Sequence, residues 1–105
     1  MSAAKADVPY VYIFVRRDLS PAQQIIQVGH VLYEAPQGSR GTHFVLIAAD
    51  DESHLLDLVN DAHKSGVTMH LFYETDHGVG FSAAASEEIY GEKRQVFSHL
   101  QTYEP

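Results

Sequence analysis

The 105-residue sequence contains no cysteine, so neither a disulfide framework nor a cysteine nucleophile is available to it. No apolar run is long enough to span a membrane. The first residues, MSAAKAD, have no apolar run after their single lysine, and we therefore expect neither a signal peptide nor a transit peptide. These features predict a cytoplasmic protein that does not associate with membranes.

Basic residues are also few. Seven lysines and arginines stand against fourteen aspartates and glutamates, which gives a formal net charge of -7. The only adjacent basic pairs are Arg16 with Arg17 and Lys93 with Arg94. Because proteins contact phosphate groups mainly through these side chains, a broad RNA-binding surface is excluded, whereas a local basic patch is not.

The length and composition are those of one globular domain. Hydrophobic residues make up 45% of the chain and charged residues 20%, an ordinary mixture for a protein with a buried core. We predict a single domain over residues 1–105, with loosely held tails at residues 1–8 and 101–105.

Apolar runs and helical patterns alternate along the chain. The runs predict strands at residues 10–15, 43–49, 67–73 and 81–85, the first two of them buried. One helix begins after Ser20 and ends before the turn-rich segment 36–41, another runs from Asp50 or Asp51 to Gly66, and a short helix covers residues 91–100. Successive strand-helix-strand units favour parallel pairing, and the short loop before the last strand makes the sheet mixed. The sequence predicts an α/β fold, a three-layer α/β/α sandwich with a four-stranded mixed sheet.

The first helix has a polar side. Ser20 can cap the free N–H groups, Pro21 suits the first turn, and Gln23 completes a capping box. A broad apolar arc should face the core and consists of Ile25, Ile26, Val28, Val31, Leu32 and Tyr33. The opposite side holds a polar stripe, made of Gln23, Gln27, His30 and Glu34. The stripe offers amides, an imidazole and a carboxylate for hydrogen bonding, although a solvated helix face explains it equally well.

Two loops should lie beside this stripe. Ligands of α/β proteins usually meet the loops that follow the carboxyl ends of parallel strands. Arg16, Arg17 and Asp18 follow the first strand, and Asp76 and His77 follow the third. If those strands lie close together, the sequence predicts a polar pocket. The alternatives are that Asp76 bonds its own backbone in a turn and that His77 is simply exposed.

Several familiar sites are missing from the sequence. The seven histidines are not spaced as zinc ligands, and there is no phosphate-binding glycine loop or nucleophile elbow. We therefore expect no metal site and no cofactor.

Four segments together resemble the type-two peptidyl-tRNA hydrolase superfamily. They are VYIFVRRDLSPAQQIIQVGH, the strand HFVLIAA, the second helix and the loop ETDHGVGFSAAAS, and they extend from Tyr10 to about Ser86. The chain is nearest to a short, divergent branch of small proteins that share an arginine-rich DL loop and a Q..Q.GH helix. The segment GEKRQVFSHL resembles that branch's final motif.

The resemblance implies a four-stranded mixed sheet between helices and a homodimer that cleaves the ester between a peptide and the 3′ ribose of tRNA. Of the residues that the family uses, its glutamine matches Gln27, its aspartate matches Asp76, and a histidine three residues after the glutamine matches His30.

Two family residues are absent from their positions. The family lysine falls on Gln23 and a threonine falls on Gly80, which leaves Ser82 or Ser86 to supply a hydroxyl. The loss of a lysine removes both a phosphate contact and a group that stabilises negative charge.

Three functions follow as hypotheses. In the first, a hydrolase of the peptidyl-tRNA type, Asp76 activates water, Gln27 and His30 position it, and Ser82 or Gln23 donates to the oxyanion. The second is a catalytically silent module that binds a small ligand, a nucleotide or a protein. The third is a hydrolase of a smaller ester or amide. The candidate binding residues are Arg16, Arg17, Asp18, Gln23, Glu34 and His77, and the candidate partners are tRNA, a small-molecule ligand and a second copy of the chain.

Overall fold

A computed structural model describes residues 8–35 and 41–104. Its strands are β1 (Tyr10–Arg16), β2 (His43–Ala49), β3 (Met69–Glu74) and β4 (Gly80–Ser86), and its helices are α1 (Pro21–Glu34) and α2 (Glu52–Lys64). A 3₁₀ turn covers Asp76–Gly78, and a 3₁₀ helix covers Gly91–Phe97. The predicted α/β class with a four-stranded mixed sheet is confirmed. None of the described helices is long and apolar enough to cross a membrane.

The strands lie in the order β2-β1-β4-β3. β1 pairs parallel with β2 and antiparallel with β4, and β4 pairs antiparallel with β3. β1 therefore has neighbours on both sides, as its unbroken apolar run predicts. The prediction that β2 is buried is wrong for its first half, because β2 is an edge strand whose His43 and Phe44 are exposed.

Side chains that alternate along β1 enter two separate cores. Tyr12 and Phe14 pack with α2 on one face of the sheet. Ile13 and Val15 pack with Val31 of α1 on the other face. Because neighbouring residues of a strand point to opposite faces, one helix covers each face of β1.

α2 forms as predicted. Asp51 is its N-cap, and its side chain accepts a hydrogen bond from the backbone N–H of His54 at 2.8 Å. Gly66 follows the helix with a φ of 85°, a left-handed conformation that glycine adopts without strain. The four apolar residues at helical spacing are all buried: Leu55, Leu58, Val59 and Ala62.

α1 begins as predicted but faces the sheet with an unexpected side. Ser20 accepts from the N–H of Gln23 at 3.2 Å, which confirms the cap. The predicted apolar arc is wrong at Ile25 and Tyr33, which are 75% and 89% exposed, and Ile26 is exposed as well. Gln27, assigned to the opposite side, is fully buried.

The residues of the sheet beneath α1 explain why Gln27 is buried. The part of β4 that faces the helix holds the small side chains of Ala83 and Ala85, which let α1 approach the sheet closely. Polar groups on the same face, Glu74 and Ser82, hydrogen bond to Gln27. A helix face can therefore be polar and buried here, because the sheet supplies partners for its polar atoms.

The end of the chain is held against β2. Thr102 pairs with Ile47 in an isolated antiparallel β-bridge, and the backbone N–H of Tyr103 donates to the carbonyl of Leu46 at 2.8 Å. The Tyr103 hydroxyl donates to Gln24 Oε1 at 2.6 Å. This part of the predicted tail is thus tied to the edge of the sheet. Residues 1–7, 105 and most of the predicted turn, 36–40, lie outside the described residues.

Candidate functional site

Three side chains surround the buried amide of Gln27. We call the four residues the amide cluster: Gln23, Gln27, Glu74 and Ser82. The Nε2 of Gln27 donates to Glu74 Oε2 at 3.0 Å and to Gln23 Oε1 at 3.2 Å. Its Oε1 accepts from the Ser82 hydroxyl at 2.6 Å. Since an ionised carboxylate only accepts hydrogen bonds, Glu74 fixes which way the Gln27 amide points.

A β-bulge turns Ser82 toward the helix. Phe72 of β3 pairs with Ala83 and Tyr73 pairs with Phe81, so that Ser82 is an extra residue in β4. An extra residue breaks the strict alternation of side chains, and bulges often redirect a side chain in this way. Ser82 is fully buried, and its hydroxyl meets Gln27.

Glu74, the last residue of β3, supplies the carboxylate of the cluster. The hydrogen bond from the Gln27 side chain lowers the pKa of Glu74, and the bond that its Oε1 accepts from the Asp76 backbone N–H, at 3.1 Å, lowers it further. Desolvation opposes these effects, and the positive charge of a protonated His30 adds to them. Glu74 is therefore ionised at neutral pH.

Gln23 presents a donor that its neighbours do not use. Its Oε1 accepts from Gln27, and within the described part of the chain its Nε2 bonds no other group. Gln23 is half-buried, and its amide nitrogen is free to donate to a bound molecule.

The rest of the polar stripe lies along β3. The His30 ring stacks on Phe72, with ring centres 4.9 Å apart and planes 6° from parallel. Glu34 Oε1 lies 3.5 Å from His70 Nε2, one step farther along the helix. His30 thus stands beside the amide cluster, whereas Glu34 contacts a different side chain.

Arg16 holds the start of β4, and the exposed Asp18 pairs with it. Arg16 donates through Nε and Nη2 to both oxygens of Asp18, at 2.9 and 2.8 Å. Its Nη1 donates to the carbonyls of Val79 and Phe81 at 2.6 and 3.1 Å. The ion pair raises the pKa of Arg16 and lowers that of Asp18. Arg16 therefore positions the strand that carries Ser82, and four of its five N–H donors are occupied.

Arg17 points away from this group. Its Nε lies 3.0 Å from Asp50 Oδ1, at the carboxyl end of β2. The two arginines that the sequence assigned to one binding loop are thus separated, because neighbouring residues at a strand end point to opposite faces.

Asp76 and His77 lie in the exposed 3₁₀ turn. Asp76 meets the cluster through its backbone N–H, which donates to Glu74. His77 has a φ of 56°, a conformation that few residues other than glycine adopt. Of the two serines, Ser86 accepts from the Tyr12 N–H at 2.8 Å at the far end of β4, and only Ser82 belongs to the cluster.

Sequence reasoning missed Glu74. A signal for it exists, because period-two alternation from Phe72 places Glu74 on the face of β3 that α1 covers. The sequence prediction places the carboxylate at Asp76 instead, in the loop that follows β3.

The cluster has the parts needed to orient water or a polar ligand. It offers an ionised carboxylate and a free amide donor, while the buried Ser82 hydroxyl is occupied by Gln27, and none of its four members is a lysine or arginine. Across residues 8–35 and 41–104, no group of three or more histidine, aspartate or glutamate side chains could hold a metal ion.

Comparison with protein-family models and with curated proteins finds no match to this chain. The resemblance to type-two peptidyl-tRNA hydrolases therefore rests on the sequence motifs alone.

Proposed function

We propose that this chain is a carboxylic-ester hydrolase of the peptidyl-tRNA type, with the amide cluster as its active site. The observation that carries the proposal is the contact of an ionised carboxylate, Glu74, with the buried amide of Gln27, the residue that matches the family glutamine. The helices on opposite faces of the sheet support the three-layer sandwich that the resemblance implies.

In the proposed reaction, Glu74 orients a water molecule and accepts its proton as the water oxygen attacks the ester carbonyl carbon. The Gln23 Nε2 donates a hydrogen bond to the oxyanion that develops, in place of the family lysine. The bond from the carbonyl carbon to the ribose oxygen then breaks, and that oxygen takes the proton from Glu74. Gln27 holds the carboxylate in position, and Ser82 holds Gln27.

In this scheme Glu74 takes the role that was predicted for Asp76. Gln27 donates to the Glu74 carboxylate. Within the described residues, the Asp76 side chain bonds no member of the cluster, and only its backbone does. His30, beside Phe72, is a positioning residue for the substrate or the water.

We also propose that the chain forms a homodimer through the outer side of α1. Ile25, Gly29 and Tyr33 recur every four residues and share one exposed side of the helix, next to Ile26. A contiguous apolar surface of this kind marks an interaction site more often than a free surface. Light scattering should give twice the monomer mass for the wild type and the monomer mass for Ile25→Lys, with Lys64→Glu as a surface control.

A binding module without catalysis is the second candidate. The amide cluster contains no cation, and both N–H donors of the Gln27 side chain are satisfied within it. A polar core with a purely structural role has the same features, and this favours the binding module. The net charge of -7 favours a small or uncharged partner over a polyanion.

The test is hydrolysis of purified peptidyl-tRNA and of a small activated ester by the wild type, by Glu74→Gln and by the exposed control variant Glu92→Gln. The proposal predicts turnover of peptidyl-tRNA that falls at least about 100-fold in Glu74→Gln and is unchanged in Glu92→Gln. Turnover of the small ester alone would favour the third hypothesis, a hydrolase of smaller esters. No turnover of either substrate by the folded wild type would overturn the hydrolase proposal and leave the binding module.

A further inference from the structure

The topology creates a second crevice at the carboxyl ends of β1 and β2. These neighbouring strands are parallel, but the helices that follow them lie on opposite faces of the sheet. The two connections therefore diverge and leave a gap between the strand ends. In open α/β sheets, this gap is where ligands bind.

A cleft of about 440 Å³ occupies this place, and we call it the β1/β2 cleft. Arg17 follows β1, Asp50 follows β2, and the C-terminal segment with Glu104 forms the facing wall. Ile47 and Leu58 also line the cleft but are buried, and most of its exposed lining is polar. The cleft shares no lining residue with the amide cluster, and its volume lies in the usual range for small-molecule sites.

The cleft contains side chains of both charges, and some of their hydrogen-bonding groups have no partner among the described residues. The Nε of Arg17 lies 3.0 Å from Asp50 Oδ1, and within the described residues the two terminal nitrogens of Arg17 donate no hydrogen bond. Glu104 is exposed, and its carboxylate likewise bonds no described group. A guanidinium can take a carboxylate through two parallel hydrogen bonds, and a free carboxylate can take an ammonium group.

His54, in α2, adds a hydrogen-bond donor to the lining of the cleft. The backbone N–H of Asp50 donates to His54 Nδ1 at 2.8 Å. Because Nδ1 accepts that bond, the proton of the neutral ring resides on Nε2, which can donate to a ligand in the cleft.

We propose that the β1/β2 cleft binds a zwitterion, namely a free amino acid or a short peptide. Arg17 binds its carboxylate, and Glu104 binds its ammonium group. Nucleotides and other polyanions fit less well, because Asp50 and Glu104 both line the cleft and repel negative charge. The site is independent of ester hydrolysis, since it uses none of the cluster residues.

The experiment is an NMR titration of the full-length, ¹⁵N-labelled protein with the dipeptide leucyl-leucine. We expect saturable shifts of backbone amides around Ala48 and Thr102, with a dissociation constant of about 1 mM or lower. Arg17→Gln and Glu104→Gln should each weaken binding about tenfold, because each removes a charge-assisted contact. Glu92→Gln, the same change at an exposed site outside the cleft, should leave binding unchanged.

Two modified peptides and one anion test the recognition chemistry in the same way. N-acetyl-leucyl-leucine lacks the ammonium group and leucyl-leucinamide lacks the carboxylate, so each should bind about tenfold more weakly. The proposal is overturned if leucyl-leucine causes no saturable shift up to about 10 mM, if both modified peptides bind equally well, or if inorganic phosphate binds more tightly. Two separate variants keep the test decisive if one of them fails to fold, which the same spectra reveal.

Discussion

Replacing Gln27 by leucine should destabilise the protein chiefly through a hydroxyl that it leaves behind. Ser82 is fully buried and donates to Gln27 Oε1, so the variant leaves the Ser82 hydroxyl buried without this hydrogen-bond acceptor. A stranded group of this kind costs about 1–3 kcal/mol. Leucine and glutamine have similar size and helix propensity, so cavity and helix terms are small. We expect the free energy of unfolding to fall by about 2 kcal/mol.

Denaturation in urea, with Ser82→Ala and the double variant alongside, measures this effect. Ser82→Ala removes the stranded hydroxyl, and the double variant should recover about 1 kcal/mol relative to Gln27→Leu alone. The two changes are therefore strongly non-additive, as expected for residues in direct contact. Additive effects of the two substitutions, or a Gln27→Leu variant within about 0.5 kcal/mol of the wild type, would refute the account of the buried amide.

Three further predictions concern the groups around the cluster. Arg16→Gln should lower the free energy of unfolding by about 2 kcal/mol in urea denaturation, because it releases the carbonyl of Val79 and its neighbours, and an unchanged midpoint would contradict this role. Gly80→Ala should destabilise by more than about 1 kcal/mol, since Gly80 has a φ of 78° and an added Cβ would meet the Glu52 carboxylate; thermal unfolding measures the loss. The pKa of Glu74 is lowered on folding, so its contribution to stability is complete above the ordinary glutamate pKa of about 4.3 and is lost as the pH falls through the lower folded value. The stability difference between the wild type and Glu74→Gln should therefore be largest at neutral pH and shrink in acid, and a difference independent of pH would contradict it.

The elements of the fold could be predicted because local signals agree with the final structure. Ser20 and Asp51 cap the two helices as their positions in the sequence indicate. β1 is unbroken by polar residues because it has strands on both sides and a helix on each face. These features depend on residues near each other in the chain.

The orientation of α1 could not be predicted in the same way. Periodicity places Ile25 and Tyr33 on the apolar side, and helices usually bury that side. Here the sheet under α1 offers Glu74 and Ser82 as hydrogen-bond partners, so Gln27 is buried on the same face as Val31. This burial is set by residues about 50 positions away, which no local pattern contains.

The candidate site was predicted in part for the same reason. Gln27 and Ser82 form a hydrogen bond, although it depends on a bulge in β4 that no sequence pattern predicts. Arg16 and Arg17 look like one basic patch in the sequence, yet they lie against different partners, the β4 start and Asp50.

The decisive experiment compares the rate of peptidyl-tRNA hydrolysis by Glu74→Gln with that by Asp76→Asn, with both variants shown to be folded. We expect Glu74→Gln to lose at least about 100-fold in rate while Asp76→Asn keeps a rate within about fivefold of the wild type, because Glu74 is the one of these two carboxylates that accepts from Gln27. The opposite order, with activity lost in Asp76→Asn and kept in Glu74→Gln, would contradict the placement of the active site at the amide cluster.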